Sequence, residues 1–209
     1  MSREEARLAV SAGAHALGLV AAMPSGPGPI PDAVIRDIAG MVPPAVSTFL
    51  LTSLRAAGDI VAHVRATGTS TVQLVDTLAH GSYAELRLEL PNVRIVQLIH
   101  VSGPGAIDQA AAIAPAVDAL LLDSGNPALA VKELGGTGRR HDWTLSRCIR
   151  VASPVPVFLA GGLSEENVAE AIATVEPFGV DVCSGVRRDG RLDPDLLGRF
   201  MCAAGVGGA

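Results

Sequence analysis

A helical segment opens this chain, and after it short apolar runs and helical segments alternate seven times, a rhythm that few folds accommodate. Residues 3 to 12 place Ala6, Leu8, Ala9 and Val10 at helical spacing and stop at Gly13, and the first apolar run follows from Ala16 to Ala22. The pattern then predicts helix Asp32 to Met41, strand Val46 to Leu51, helix Ser53 to Thr67, strand Thr71 to Val75 and helix Gly81 to Leu90. Beyond these it predicts strand Ile95 to Val101, helix Ala106 to Ala114, strand Ala119 to Asp123 and, after a long loop, helix Trp143 to Ala152. Strand Val155 to Ala160, helix Glu165 to Val175, strand Val180 to Ser184 and helix Pro194 to Ala203 complete the series.

Such alternation implies parallel strands joined by right-handed crossovers. Hydrophobic residues make up 49% of the chain but aromatic ones only 3%, so Val, Leu, Ile and Ala must build the core, as they do where helices cover buried parallel strands. An open doubly wound sheet and a closed barrel both satisfy the pattern. No G-x-G-x-x-G follows the first strand, which argues against a dinucleotide fold. Seven strands behind an opening helix look instead like an α/β chain of the (β/α)8 TIM-barrel type lacking the first β-strand, in one domain over residues 1–209. A barrel short of a strand exposes two unpaired edges, so pairing into a homo-oligomer is expected.

The formal charge of −5 and the scattering of the sixteen Lys and Arg residues leave no electrostatic footprint for nucleic acid, so a small molecule is the expected partner. Cys148, Cys183 and Cys202 are odd in number and lack C-x-x-C spacing, so neither a disulfide framework nor a metal site is predicted, and a reducing cytoplasm fits. The opening MSREEARLAV lacks the apolar centre of a signal peptide. Apolar stretches such as Ala110 to Leu122 are too short for a bilayer and contain Pro115 and Asp118, so a soluble protein with no membrane partner is expected.

Chemistry concentrates at strand ends. In FLAGGLSEENV, from Phe158, an apolar strand runs into Gly161 and Gly162, with Ser164 placed to cap the next helix and Glu166 and Asn167 near its start. The next strand ends in VDVCSGVR, bringing Ser184 and Gly185 ahead of Arg187 and Arg188. Glycines let a ligand approach the backbone, and (β/α)8 barrels frequently bind phosphate on the loops after strands seven and eight. Asp123 closes ALLLD at the rim, where it suits a general acid or base, or else caps a helix or pairs with Lys132. The loop beyond it carries Gly135, Gly136, Thr137 and Gly138 and has the length of a functional loop. His100 ends an apolar strand, where a lone histidine is more often a satisfied core residue than a catalyst. Gln73 is a candidate ligand-facing group, and Asp181, if it points inward, must be paired or serve a ligand. Cys183 is expected to be a small core residue.

The segments VQL at 72–74, LLLDSG at 120–125, ELGGTGRRHDW at 133–143, and FLAGGLSEENVAEAI with GVDVCSGV from 158 to 186 resemble the phosphoribosylanthranilate isomerase family in order and spacing. ALGLV at 16–20 resembles that family's second strand. The resemblance implies an Amadori rearrangement of a phosphoribosylated amine in tryptophan biosynthesis, with no cofactor and a small phosphorylated sugar-amine as substrate. It implies that Asp123 is the acid, that Gly161, Gly162, Ser184 and Gly185 hold the phosphate, and that residues 135–138 are the family's GGTG loop.

Three family features are missing. The base implied by the family is a cysteine of a first-strand K-I-C-G motif, and none of the three cysteines stands in that position. The loop after ALGLV reads PSGPGPI, with no arginine before Arg36 to hold the anthranilate carboxylate, and Val75-Asp76 replaces the family's His-Gly after VQL. Either the true start lies upstream of Met1, or the chain is a paralogue that has lost strand and cysteine. A repurposed phosphosugar isomerase or lyase, with His100 or Asp181 as base, and a non-catalytic phosphate-ligand binder are the alternatives.

Overall fold

The computed structural model describes residues 1–23, 28–124 and 141–206. Helix α1 (Arg3–Ser11) is followed by β1 (Ala16–Val20), α2 (Asp32–Met41), β2 (Ser47–Thr52), α3 (Ala57–Thr67), β3 (Thr71–Leu74) and α4 (Tyr83–Glu89). Then come β4 (Arg94–His100), α5 (Gly105–Ile113), β5 (Ala119–Asp123), α6 (Trp143–Ala152), β6 (Val157–Leu159), α7 (Val168–Val175) and β7 (Gly179–Val180). A hairpin of β8 (Arg187–Arg188) and β9 (Arg191–Leu192) precedes α8 (Pro194–Ala203). Strands β1 to β7 form one parallel sheet in sequence order, a TIM-barrel-like α/β arrangement in which each strand pairs with the next.

The side-chain period of two divides every strand between two cores. On β5, Leu120 and Leu122 face the helices, where they join Leu50, Val72, Ile95, Ile99 and Leu159 in the larger core. Ala119 and Leu121 face the other side, with Val75, Val96, Leu98 and Ala160, against which Phe49, Leu51 and Phe158 pack. Burying a Leu or Ile is worth about 1.5–3 kcal/mol, so a slip of one residue, which would exchange the two faces, is heavily disfavoured. The register therefore fixes which side chains can reach a ligand from the inner face. His100 stands beside Asp123 in the ladder, and Gln73 lies between Leu51 and Val96.

Helix ends follow local chemistry. Asp142 caps α6 by accepting the Thr144 N–H, and Asp193 caps α8 by accepting from Asp195 and Leu196, with Pro194 at the first helical position. Ser2 and Glu5 form a capping box on α1. Glu5 also accepts the Leu192 N–H at 2.8 Å and pairs with Arg187 at 3.1 Å, tying α1 to the hairpin. Burial alone would raise the Glu5 pKa, but the Leu192 N–H, the Arg187 charge and the Ser2 N–H bring it down to about 2.

Several expectations need correction. The seventh strand ends at Val180, because its last ladder bond is Asp181 N–H to Leu159 O, and Ser184–Val186 turns as a 3-10 helix. The hairpin that follows was not expected. Helix α3 begins at Ala57 rather than Ser53, after the Ala57 and Ala79 amides have linked the segment to His80 and Arg55. Ser164 does not cap α7 with its side chain; its carbonyl accepts from Asn167 and Val168, and the helix starts at Val168. Cys183 is exposed rather than a core residue, as are Cys148 and Cys202.

Candidate functional site

The inner row at the C-terminal ends of the strands gathers the polar groups. Asp123 follows Ala119 and Leu121 on the inner face of β5, and its side chain is 5% exposed. Its Oδ1 accepts the Ser124 N–H at 2.6 Å, with Ser124 Oγ at 3.3 Å. On the neighbouring strand end, Gly161 has φ +86°, and a β-carbon there would stand 2.9 Å from both Asp123 Oδ1 and Ser124 N. Only glycine lets the β6 loop lie against the carboxylate.

The loops after β6 and β7 interlock. Gly162 also has positive φ, at 66°, and its carbonyl accepts from Asn167 Nδ2 at 2.9 Å while Asn167 Oδ1 accepts the Ser164 N–H at 3.0 Å. A β-carbon on Gly185 would stand 2.0 Å from Leu163 O, so the two loops touch backbone to backbone. Among the described residues, the N–H groups of Gly161, Gly162, Ser184 and Gly185 donate to no protein acceptor. Clustered free amides of this kind form an anion-binding cradle. Arg187 and Arg188 do not complete it, since they pair with Glu5 and Asp193.

Asp123, Ala160, Gly161, Gly162, Asp181 and Ser184 line a single concavity of about 40 Å³. A larger hollow of about 310 Å³ sits on the outer surface between α1 and the end of α2, lined by Arg7, Met41 and Pro43, without any acid–base pair. Asp181 is reached by solvent, yet it lies among many protein atoms. That crowding, and secondly the Asp123 charge, push its pKa up to about 6.

Gln73 and His100 occupy the inner face further round the sheet, both buried. His100 Nε2 lies 3.3 Å from Val75 O, and because a carbonyl can only accept, Nε2 carries the proton and Nδ1 the lone pair in the neutral ring. Residues 135–138 and Lys132 lie outside the described residues. His141, given no role in the sequence reading, stands near Asp123. Its Nε2 is 2.6 Å from the buried Ser146 Oγ, and burial of the ring lowers its pKa against the opposing charges of Asp123 and Asp142. Its place two residues before Trp143 in the GGTGRRHDW segment was the available signal.

The sequence profile of N-(5'-phosphoribosyl)anthranilate (PRA) isomerase matches residues 55–203, from the turn before α3 to the end of α8. The chain belongs to the N-(5'-phosphoribosyl)anthranilate isomerase family. N-(5'-phosphoribosyl)anthranilate isomerase 2 of Methanosarcina mazei is 40% identical over 185 residues, covering 88% of this chain and 81% of its own. The phosphoribosyl anthranilate isomerase of Thermotoga maritima, at 28% identity, superposes with a TM-score of 0.81 over 98% of this chain and 95% of its own. A phosphoribosyl anthranilate isomerase in complex with reduced 1-(o-carboxyphenylamino)-1-deoxyribulose 5-phosphate is 26% identical, with a TM-score of 0.78 over 98% and 94% of the two chains. The resemblance carried by LLLDSG, AGGL and GVDVCSGV is thus borne out, and the isomerase profile covers Asp123 and both glycine loops.

Among the described residues, no helix is long and apolar enough to cross a membrane, and no group of three or more His, Cys, Asp and Glu side chains could hold a metal ion.

Proposed function

We propose that this protein catalyses the Amadori rearrangement of N-(5'-phosphoribosyl)anthranilate in tryptophan biosynthesis. The observation that carries the reading is the contact between Gly161 and Asp123, which sets an acid at the edge of a backbone anion cradle in a chain of this isomerase family.

The free amides of Gly161, Gly162, Ser184 and Gly185 hold the 5'-phosphate, which places the ribose ring over Asp123. Asp123 donates a proton to the ring oxygen as the amine nitrogen expels it, so the C1–O bond breaks and a C1=N iminium forms. A base then removes the C2 proton, the electron pair closes C1=C2, and the enaminol tautomerises to the 1-amino-2-keto product. Gln73 offers a polar contact to the substrate, and His100, beside Asp123 in the ladder, steadies that carboxyl group. We read the sheet as a (β/α)8 barrel with one strand position open between β7 and β1, a reading supported by the sequential parallel order and the shared inner core.

One observation favours a second reading, a related phosphoribosylamine with a different amine substituent. The loop after β1 contains no arginine, and Arg36 is committed to Ala66 O at 2.7 Å. Incubating the protein with N-(5'-phosphoribosyl)anthranilate and following formation of the carboxyphenylamino-deoxyribulose phosphate tests the choice. Turnover is expected; none would eliminate anthranilate as the substituent.

A further inference from the structure

A ligand with a phosphate at one end and an aromatic carboxylate at the other needs a cation at the end remote from the phosphate. Among the described residues of the loops that follow β1 to β5, Arg55 is the one Arg or Lys, three residues beyond the end of β2. On the phosphate side, Arg187 and Arg188 are held by Glu5 and Asp193. Resting on the reaction proposed above, we propose that Arg55 is the specificity-determining residue for the amine substituent, holding the anthranilate carboxylate on the free edge of its guanidinium group.

The guanidinium group is anchored at one corner only. Its Nε donates to Thr77 O at 3.0 Å and lies 3.6 Å from Asp76 Oδ2, beyond hydrogen-bond length. Among the described residues no acceptor meets either Nη, and the two Nη groups present the parallel donors that match both oxygens of a carboxylate. The backbone beneath is fixed as well. The Ala79 and His80 N–H groups both donate to Arg55 O, at 2.8 and 3.2 Å, and the Ala57 N–H donates to His80 O at 3.0 Å, so the loops after β2 and β3 are clasped together. Behind them the buried Gln97 amide donates to Leu74 O at 3.1 Å, reaches Asp76 O at 3.3 Å and accepts from the Tyr83 hydroxyl at 2.8 Å. A donor pair held this way loses little freedom when a ligand binds.

The rest of the site directs the substituent the same way. With the phosphate on the loops after β6 and β7 and the ribose over Asp123, the amine arm extends toward the ends of β1 to β3. Phe49 on β2 and Phe158 on β6 meet edge to face with ring centroids 6.1 Å apart, so two side chains span the distance between these walls. A ribose phosphate with its amine arm can bridge such a gap. Asp123 and Asp181 line the phosphate side, where a further carboxylate is disfavoured. Met23 and Leu51, half-buried against the inner core beside the β2 end, offer an apolar and thioether surface to the aromatic ring.

The test compares two ligands by calorimetry, reduced 1-(o-carboxyphenylamino)-1-deoxyribulose 5-phosphate and the same molecule without its carboxylate. The parent protein should bind the carboxylated ligand tighter by roughly tenfold or more. Arg55→Met should abolish that preference while leaving the affinities for the uncarboxylated ligand and for inorganic phosphate as they were. Arg55→Lys, which keeps the charge but not the fork, should retain part of the preference. In turnover of N-(5'-phosphoribosyl)anthranilate, Arg55→Met should place most of its loss in KM. The assignment is overturned if the parent shows no preference or binds neither ligand, if the preference survives Arg55→Met, or if phosphate affinity falls along with it. A preference that depends on Arg55 in a protein that does not turn over N-(5'-phosphoribosyl)anthranilate would overturn the reaction and leave the carboxylate site standing.

Discussion

Gly185 and Leu163 pack so closely that a β-carbon on Gly185 would stand 2.0 Å from the Leu163 carbonyl oxygen. That contact clasps the loop after β6 to the loop after β7 and gathers their amides. Gly185→Ala should therefore open the cradle. Overpacking of this kind costs about 1–3 kcal/mol, and we expect denaturant melts to show that loss together with at least a tenfold drop in inorganic phosphate affinity by calorimetry. Unchanged phosphate affinity would mean that the anion binds elsewhere.

Glu5 makes the clasp between α1 and the hairpin depend on pH. Its folded pKa of about 2 lies below the ordinary 4.5, so the stabilisation is fully present above pH 4.5 and is lost as the pH falls through 2. The difference corresponds to at most about 3 kcal/mol. Unfolding free energies of Glu5→Gln and the parent protein should differ at pH 7 and converge toward pH 2. Parallel curves across that range would contradict the assignment.

His141 has the opposite consequence at milder pH. Its pKa is lowered from 6.5 chiefly by burial, so below pH 6.5 the unfolded chain binds a proton that the folded ring still refuses, and stability falls as the pH drops through that window. His141→Phe keeps an aromatic ring of similar size and should remove this part of the slope in melts between pH 7 and 5. A slope identical to the parent's would place the linkage on another group.

His100 tests the polar inner row. His100→Gln should lower kcat about tenfold with little change in KM, as expected if the ring orients Asp123 without binding the substrate. Undiminished kcat would leave His100 as a satisfied core residue bonded to Val75.

Strong local signals were legible in the sequence. Asp32–Met41, Ala119–Asp123, Trp143–Ala152 and Pro194–Ala203 form as expected, because clean apolar periodicity, and for α6 and α8 an aspartate cap, mark them. The glycines beside Asp123 were legible as well, since they end apolar runs at a fixed place in a repeated pattern. What escaped depends on distant partners. Arg187 follows Ser184 and Gly185 in the sequence, but Glu5, 182 positions away, holds it. The strand β7 ends early because Ser184–Val186 turns as a 3-10 helix directly after its last ladder bond, from Asp181 N–H to Leu159 O. His141 lies in the GGTGRRHDW segment, but its proximity to Asp123 arises from the return of the chain at α6, which periodicity does not encode.

The most direct measurement compares the turnover of N-(5'-phosphoribosyl)anthranilate by the parent protein and by Asp123→Asn, with inorganic phosphate affinity measured on both. The account predicts conversion by the parent, a loss of kcat of roughly 100- to 10,000-fold in the variant, and equal phosphate affinity. Full turnover by Asp123→Asn would contradict it.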